Sequence, residues 1–138
     1  MDINPGSGSI VLLTRLARVV YRRSSEELLG IRLKQMMGLA YLREHRETTQ
    51  HAFCESMHLD PNNCVLYLNE LEEAGFATRK RDPSDRRRHL LGLTDAGMEA
   101  LDRAERAQDA IEDEVLAALT SAERATLRSL LARALASD

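Results

Sequence analysis

Residues 60–93 read as a helix with its own start and stop signals, running straight into a β-hairpin. Asp60 is a favourable N-cap, and Pro61 suits the first helical position, where a missing N–H leaves no bond unmade. Gly75 is the residue expected just beyond a helix C-terminus. Between these signals Cys64, Leu68 and Leu71 share one face, with Tyr67 beside them. Residues 76–81 and 88–93 are strand-like, and the loop 82–87 between them holds the turn formers Pro83 and Asp85. A shorter helix over 49–57, with Phe53, Cys54 and Met57 facing inward, precedes this unit across a tight link at 58–60. Two short helices joined by a few residues, the second amphipathic, make a helix-turn-helix. The hairpin behind it leaves few other folds open to the chain.

The flanks are helical as well. The spacing of Leu12, Leu13, Leu16, Val19 and Val20 predicts a helix over 10–23, with Arg15, Arg18 and Arg22 on another face. Ser24 and Glu27 then form either a capping box or the turn that ends this helix. Leu33, Met36, Met37, Ala40 and Tyr41 predict a second helix over 30–44, and the polar residues 45–48 read as a connector. Thr94 caps a long helix that reaches about Leu119, roughly 37 Å at 1.5 Å per residue. Thr120 with Glu123 is a capping box opening a last helix, whose apolar face is Leu127, Leu130, Leu131 and Ala134.

A chain of 138 residues is one domain by default, and aromatic residues at 4% with no Trp leave an aliphatic core that leans helical. The fold class is therefore mainly α with a small β-hairpin. No run approaches the roughly 18 apolar residues of a membrane span, which argues against a membrane partner. The N-terminus lacks the basic and apolar regions of a secretion signal. Cys54 and Cys64 form no framework pattern, so they read as packing thiols in a reducing cytoplasm.

Residues 79–94 hold six Lys/Arg against two Asp, a local +4 in a chain whose net charge is −3, so the remainder carries −7. Clustered arginine on an otherwise acidic chain fits a polyanionic partner, and phosphate neutralisation by nucleic acid is the obvious one. A solvated loop in which Asp82 and Asp85 pair with their neighbours is the competing reading.

The helix-turn-helix followed by a hairpin is a winged helix-turn-helix, and residues 68–101 closely resemble the core signature of the MarR family of bacterial transcription regulators. The matching positions are Leu71, Gly75, Arg79, Asp85 with Arg87, and Leu93-Thr94-x-x-Gly97. The resemblance implies one domain over 1–138, with dimerisation helices at 10–29 and 120–136, a winged helix-turn-helix at 31–93 and a connecting helix at 94–119. It implies a homodimer that binds double-stranded DNA at a pseudo-palindromic site, as a cytoplasmic repressor released by a small anionic or aromatic ligand. Leu12, Leu16, Val19, Leu127, Leu130 and Leu131 are the residues expected at the dimer interface. Arg18, Arg22, Met36 and Tyr41 are the ligand-lining candidates.

For DNA, Arg86 and Arg87 sit nearest the hairpin tip, where an arginine can enter a narrow minor groove. The resemblance implies that Asp85 orients an arginine of the wing by an ion pair. The recognition helix at 60–74 departs from the family, since it contains no Lys or Arg and four acids, Asp60, Glu70, Glu72 and Glu73. Base readout then falls to Asn62 and Asn63, whose amides can pair with adenine, and to Leu66 or Val65 against a thymine methyl. N-terminal turn chemistry competes for both Asn. Gln50 and His51 are candidate phosphate contacts. His51, Cys54 and His58 have helical spacing for a metal site, but no second Cys or carboxylate completes the set, so core packing is the better reading and no metal or cofactor is expected. No nucleophile elbow, phosphate loop or paired-carboxylate motif supports catalysis. The rival to DNA binding is a winged-helix module for protein–protein contact, suggested by the acidic helix and the net negative charge.

Overall fold

The computed structural model describes residues 6–136. The described residues form two compact bodies: residues 24–107, and residues 6–23 together with 108–136.

In the 24–107 body the order is α2 (Glu26–Leu29), α3 (Leu33–Glu44), β1 (Thr48–Thr49), α4 (Gln50–Ser56), α5 (Pro61–Glu73), β2 (Ala77–Asp82), β3 (Asp85–Leu93) and the first part of α6 (Asp95–Val115). The other body holds α1 (Ser9–Arg23), the end of α6 and α7 (Ser121–Ala136).

Capping chemistry explains most boundaries. Ser25 Oγ accepts from the Leu28 amide and Thr49 Oγ1 from the Ala52 amide. Asp60 Oδ1 accepts from the Asn63 amide at 2.9 Å, with Pro61 in the first turn as expected. Gly75, at φ +78°, follows α5; its amide donates to Glu72 and that of Phe76 to Leu71, which satisfies the last carbonyls of the helix. At α7 the Thr120–Glu123 box closes in both directions, at 2.9 and 3.1 Å.

Several expectations are corrected. Ser25, not Ser24, caps α2, and Ser24 is buried. The helix expected over 10–23 is α1, Ser9–Arg23, and α2 is a separate short helix within the 10–29 segment. Gly30, at φ +81°, ends α2 instead of opening the next helix, which starts at Leu33. Thr48, read as connector, and Thr49, read as the start of a helix, instead form a strand: they pair with Leu91 and Leu90, giving a three-stranded antiparallel sheet in the order β1-β3-β2. The hairpin loop is Pro83-Ser84 alone, since β2 runs to Asp82 and β3 begins at Asp85. The chain turns at 116–119 before Thr120 can cap α7, so α6 has 21 residues and ends at Val115; at 1.5 Å per residue it is about 32 Å long.

The core of the 24–107 body is aliphatic around a small aromatic group. Phe53 stacks on Tyr67 with centroids 5.8 Å apart and meets Tyr41 edge-on at 5.6 Å. Leu39, Leu68, Leu71 and Leu101 are fully buried around them. Cys54 and Cys64 are not separate packing thiols. They are bonded to each other, with Cα atoms 5.8 Å apart, and link α4 to α5 across the turn. The turn brings two small inward positions face to face, which a ten-residue spacing does not reveal. Cys54 is thereby removed from the His51, Cys54 and His58 trio, and among the described residues no group of His, Cys, Asp or Glu is placed to hold a metal ion.

In the other body the outcome is different. Neither α1 nor α7 buries a single residue, although α1 has a marked apolar stripe. Ile10 and Leu135 are more than 70% exposed. A cleft of about 410 Å³ is lined by Leu16, Val20, Ile111, Val115, Leu127 and Leu131. Ion pairs rim this body, Arg23 with Glu114 at 2.6 Å and Arg124 with Asp113 at 2.7 Å.

The Leu93-Thr94-x-x-Gly97 signature has a direct physical basis. Thr94 Oγ1 donates to the Gly75 carbonyl at 2.6 Å and accepts from the Gly97 amide at 3.0 Å. A Cβ on Gly97 would overlap the Phe76 carbonyl and lie 2.8 Å from Leu93 Cδ1. Because the first obstacle is backbone, Gly97→Ala is expected to lower stability by about 1–3 kcal/mol, the usual cost of overpacking; urea denaturation would measure it, and an unchanged midpoint would refute the tight junction.

Candidate nucleic-acid interface

Helix α5 presents Asn62, Val65 and Leu66 to solvent, while Cys64, Tyr67, Leu68 and Leu71 are buried. Leu66 is 62% exposed, beside Val65 at 39%. Asn63 is engaged locally: its Nδ2 donates to Asp60 Oδ2 at 2.7 Å, so turn chemistry occupies this amide. Asn62 is exposed.

The acids of α5 are largely answered by cations outside it. Arg32, at the start of α3, pairs with Glu70. Arg79, on β2, pairs with Glu72 at 3.0 Å and donates to Asn69 Oδ1 at 3.1 Å. Asp60 is spent on the cap. The helix without cations thus carries little uncompensated charge beyond Glu73. Arg32 lies 38 residues from Glu70, and nothing in the local sequence announces the pair.

Helix α4 contributes its first residues. Gln50 Oε1 is buried without a hydrogen-bond partner among the described residues. The His51 side chain is 84% exposed, with Nε2 3.6 Å from Glu55 Oε1. A cleft of about 220 Å³ brings Thr49, Gln50 and His51 together with Arg87, Arg88 and His89 of β3. Two sets of residues expected to meet phosphate therefore share one recess.

The arginines of residues 86–88 lie on β3, next to the two-residue turn and not within a long tip loop. Asp85 Oδ1 accepts from both the Arg87 amide (3.1 Å) and Arg87 Nε (3.2 Å), and Arg88 Nε lies 3.9 Å from Asp85 Oδ2. Arg81 donates to the Arg86 carbonyl at 2.8 Å. Asp82, only 5% exposed, accepts from the Ser84 amide and hydroxyl and from Arg88. These bonds hold its carboxyl at a pKa of about 2, the two from Ser84 first and then Arg88. Asp82 was not among the sequence candidates, although an Asp two residues before a Ser at a turn is the pattern of an Asx-turn.

The ligand-lining candidates divide between the two bodies. Arg18 and Arg22 lie exposed on α1, and Met36 and Tyr41 lie on α3. Met36 is buried core, and Tyr41 stacks on His45 at 4.0 Å.

A family model described as MarR family matches residues 31–89, which run from the start of α3 through the hairpin. The winged-helix segment of the chain is a MarR-family match. It is similar to a Thauera aromatica protein named, provisionally, as the transcriptional regulatory protein for the hcr operon: 40% identical over 85 residues, 62% of this chain and 51% of the relative. A Bacillus subtilis relative, described as an uncharacterized HTH-type transcriptional regulator, is 30% identical over 75% of this chain and 63% of its own length. The chain thus spans between about half and two thirds of the curated relatives it matches. Among solved structures, one of MarR superposes with a TM-score of 0.84 at 25% identity, covering 96% of this chain and 92% of that one. A cysteine-to-serine mutant of MarR from E. coli, complexed with operator DNA, gives 0.74 at 26% identity, covering 90% and 91%. These MarR relatives are named as transcription regulators and not as enzymes. The winged helix and its small three-stranded sheet agree with these structures. No described helix is long and apolar enough to cross a membrane.

The bonds to Asp82 have a pH signature. Its carboxyl is held below the ordinary value of 3.8, so the stability it contributes is present above about pH 4 and is lost as pH falls towards about 2. Thermal unfolding of the parent is expected to drop more steeply across that window than unfolding of Asp82→Asn. Parallel curves would show that the carboxylate is not held.

Proposed function

We propose that this MarR-family chain is a homodimeric, sequence-specific DNA-binding transcription regulator that acts as a cytoplasmic repressor and is released by a small anionic or aromatic ligand. The observation that carries the DNA reading is the juxtaposition of the α4 start with the arginine-bearing strand β3 in one recess, beside a recognition helix two of whose acids, Glu70 and Glu72, are paired with cations outside it. The rival protein-contact reading drew on those acids, and their pairing with Arg32 and Arg79 removes its main support.

In this reading Arg86 and Arg87 supply sequence-independent affinity from the wing, with Asp85 steering Arg87. Gln50 and His51 meet phosphate. Asn62 and Leu66 read the major groove, and Asn63 serves mainly the helix cap. The dimer is supported by the two terminal helices, in which no described residue is fully buried within one protomer. Leu12, Leu16, Val19, Leu127, Leu130 and Leu131 then pair two copies, which suits a pseudo-palindromic site. Sedimentation at micromolar concentration checks this, and a mass of one protomer refutes it.

Binding to duplexes from the DNA beside the chain's own gene, measured across a salt series, tests the whole reading. Arg86→Ala with Arg87→Ala is expected to weaken binding to every sequence and to flatten the log–log salt slope by about 2, near 0.9 per lost phosphate contact. Asn62→Ala is expected to relax discrimination by about 1–3 kcal/mol at one base pair. An unrelated duplex that binds the double mutant as well as it binds the parent would remove the wing from the interface. For the effector, small aromatic carboxylates are expected to release the parent from DNA, but not Arg18→Ala with Arg22→Ala; equal release of both would discard those arginines.

A further inference from the structure

We propose that Asp82 is a positioning residue of the wing, sorting the consecutive arginines Arg86, Arg87 and Arg88 into a free cation, a steered cation and a withheld cation. The inference rests on the DNA-binding reading above.

Strand alternation alone would not bury Asp82. In β2 the inward-leaning positions begin at Ala77 and continue with Arg79, so strict alternation would turn Asp82 to the opposite face. The ladder instead slips between Arg81 and Asp82. A bulge of this kind re-aims the side chain that follows it. The result is a carboxylate 5% exposed at the base of a two-residue turn.

A buried carboxylate must have its oxygens answered. Oδ1 accepts from the Ser84 amide at 2.9 Å and from its hydroxyl at 2.7 Å, which fixes the turn. Oδ2 accepts from Arg88 Nη2 at 2.7 Å. Arg88 is therefore committed to a buried intramolecular carboxylate, although 53% of its own side chain stays exposed. Arg87 has a looser tie: it bonds Asp85 at 3.2 Å but keeps 91% of its side chain exposed, so Asp85 aims it without removing it from solvent. Such exposed pairs hold weakly. Arg86 is exposed and makes no ion pair among the described residues; only its carbonyl is engaged, by Arg81. Three adjacent arginines of equal formal charge thus have unequal freedom to neutralise phosphate.

The salt slope of DNA binding counts phosphate contacts and separates this role from simple support of the fold. Parent protein, Arg86→Gln, Arg88→Gln, Asp82→Asn and the double variant Asp82→Asn with Arg88→Gln would be titrated with a matched and an unrelated duplex, after circular dichroism has shown each to be folded. Arg86→Gln is expected to lower the slope by about 1, and Arg88→Gln to leave it unchanged. Asp82→Asn is expected to release Arg88, steepening the slope by about 1 while reducing discrimination between the duplexes. In the Arg88→Gln background the same substitution is expected to leave the slope unchanged. A slope that Asp82→Asn leaves alone, or that Arg88→Gln lowers by about 1, overturns the assignment. If Asp82→Asn does not fold, the contrast between Arg86→Gln and Arg88→Gln decides the question by itself. A parent that binds neither duplex at low salt overturns the DNA-binding reading and this inference with it, whereas normal parental binding with unexpected slopes overturns the inference alone.

Discussion

The seat of Tyr67 on Gly38 is the contact on which the arrangement of the winged helix depends. Tyr67 is 2% exposed, and its hydroxyl donates to the Lys34 carbonyl in the first turn of α3. Its ring occupies the space that a side chain at position 38 would need, so α5 can approach α3 only because residue 38 is glycine. Burial pushes the phenol pKa well above its ordinary value, which keeps it a donor. Phe53 of α4 stacks on the same ring. One aromatic side chain thereby fixes both helices of the helix-turn-helix against α3, and the exposed face of α5 follows from where its buried face is held.

Charge is arranged on the same plan. The chain is acidic in total, yet acids close to the candidate interface are matched by specific cations: Glu70 by Arg32, Glu72 by Arg79, Asp82 by Arg88. Most of these pairs are exposed or half-exposed and contribute little stability. Their consequence is near-neutrality around a helix that has not a single Lys or Arg of its own. Net charge is thus a poor guide to this surface, because it sums groups that the fold has already cancelled.

What could be read in the sequence was local. Caps at Asp60 and Thr120, the glycine after α5 and the Thr94-x-x-Gly97 junction involve residues within a few positions of one another, and each was legible. Contacts between distant residues were not. The strand Thr48–Thr49 is two residues long and exists only because β3 lies beside it. The Arg32–Glu70 pair and the Cys54–Cys64 bond join positions with no shared periodicity. A run of arginines next to Pro and Ser looks like loop, whereas the ladder, interrupted across residues 86–88, resumes with Asp82 opposite Asp85. Among the DNA candidates, local chemistry was again the guide: Asn63 proved to be a capping residue, while the freedom of Leu66 and Arg86 emerged only from the packing around them.

The junction at Thr94 has a mechanical consequence. The Thr94 amide and hydroxyl tie the end of the hairpin to the carbonyls of Phe76 and Gly75, and the bare Cα of Gly97 lies against the Phe76 carbonyl. The end of α5, the base of the hairpin and the first turn of α6 are therefore clamped at one point. Helix α6 continues from there without a break to Val115. Within the 24–107 body, a twist of the first turns of α6 meets no soft joint at this clamp, so that segment acts as a lever whose rotation the base of the wing must follow.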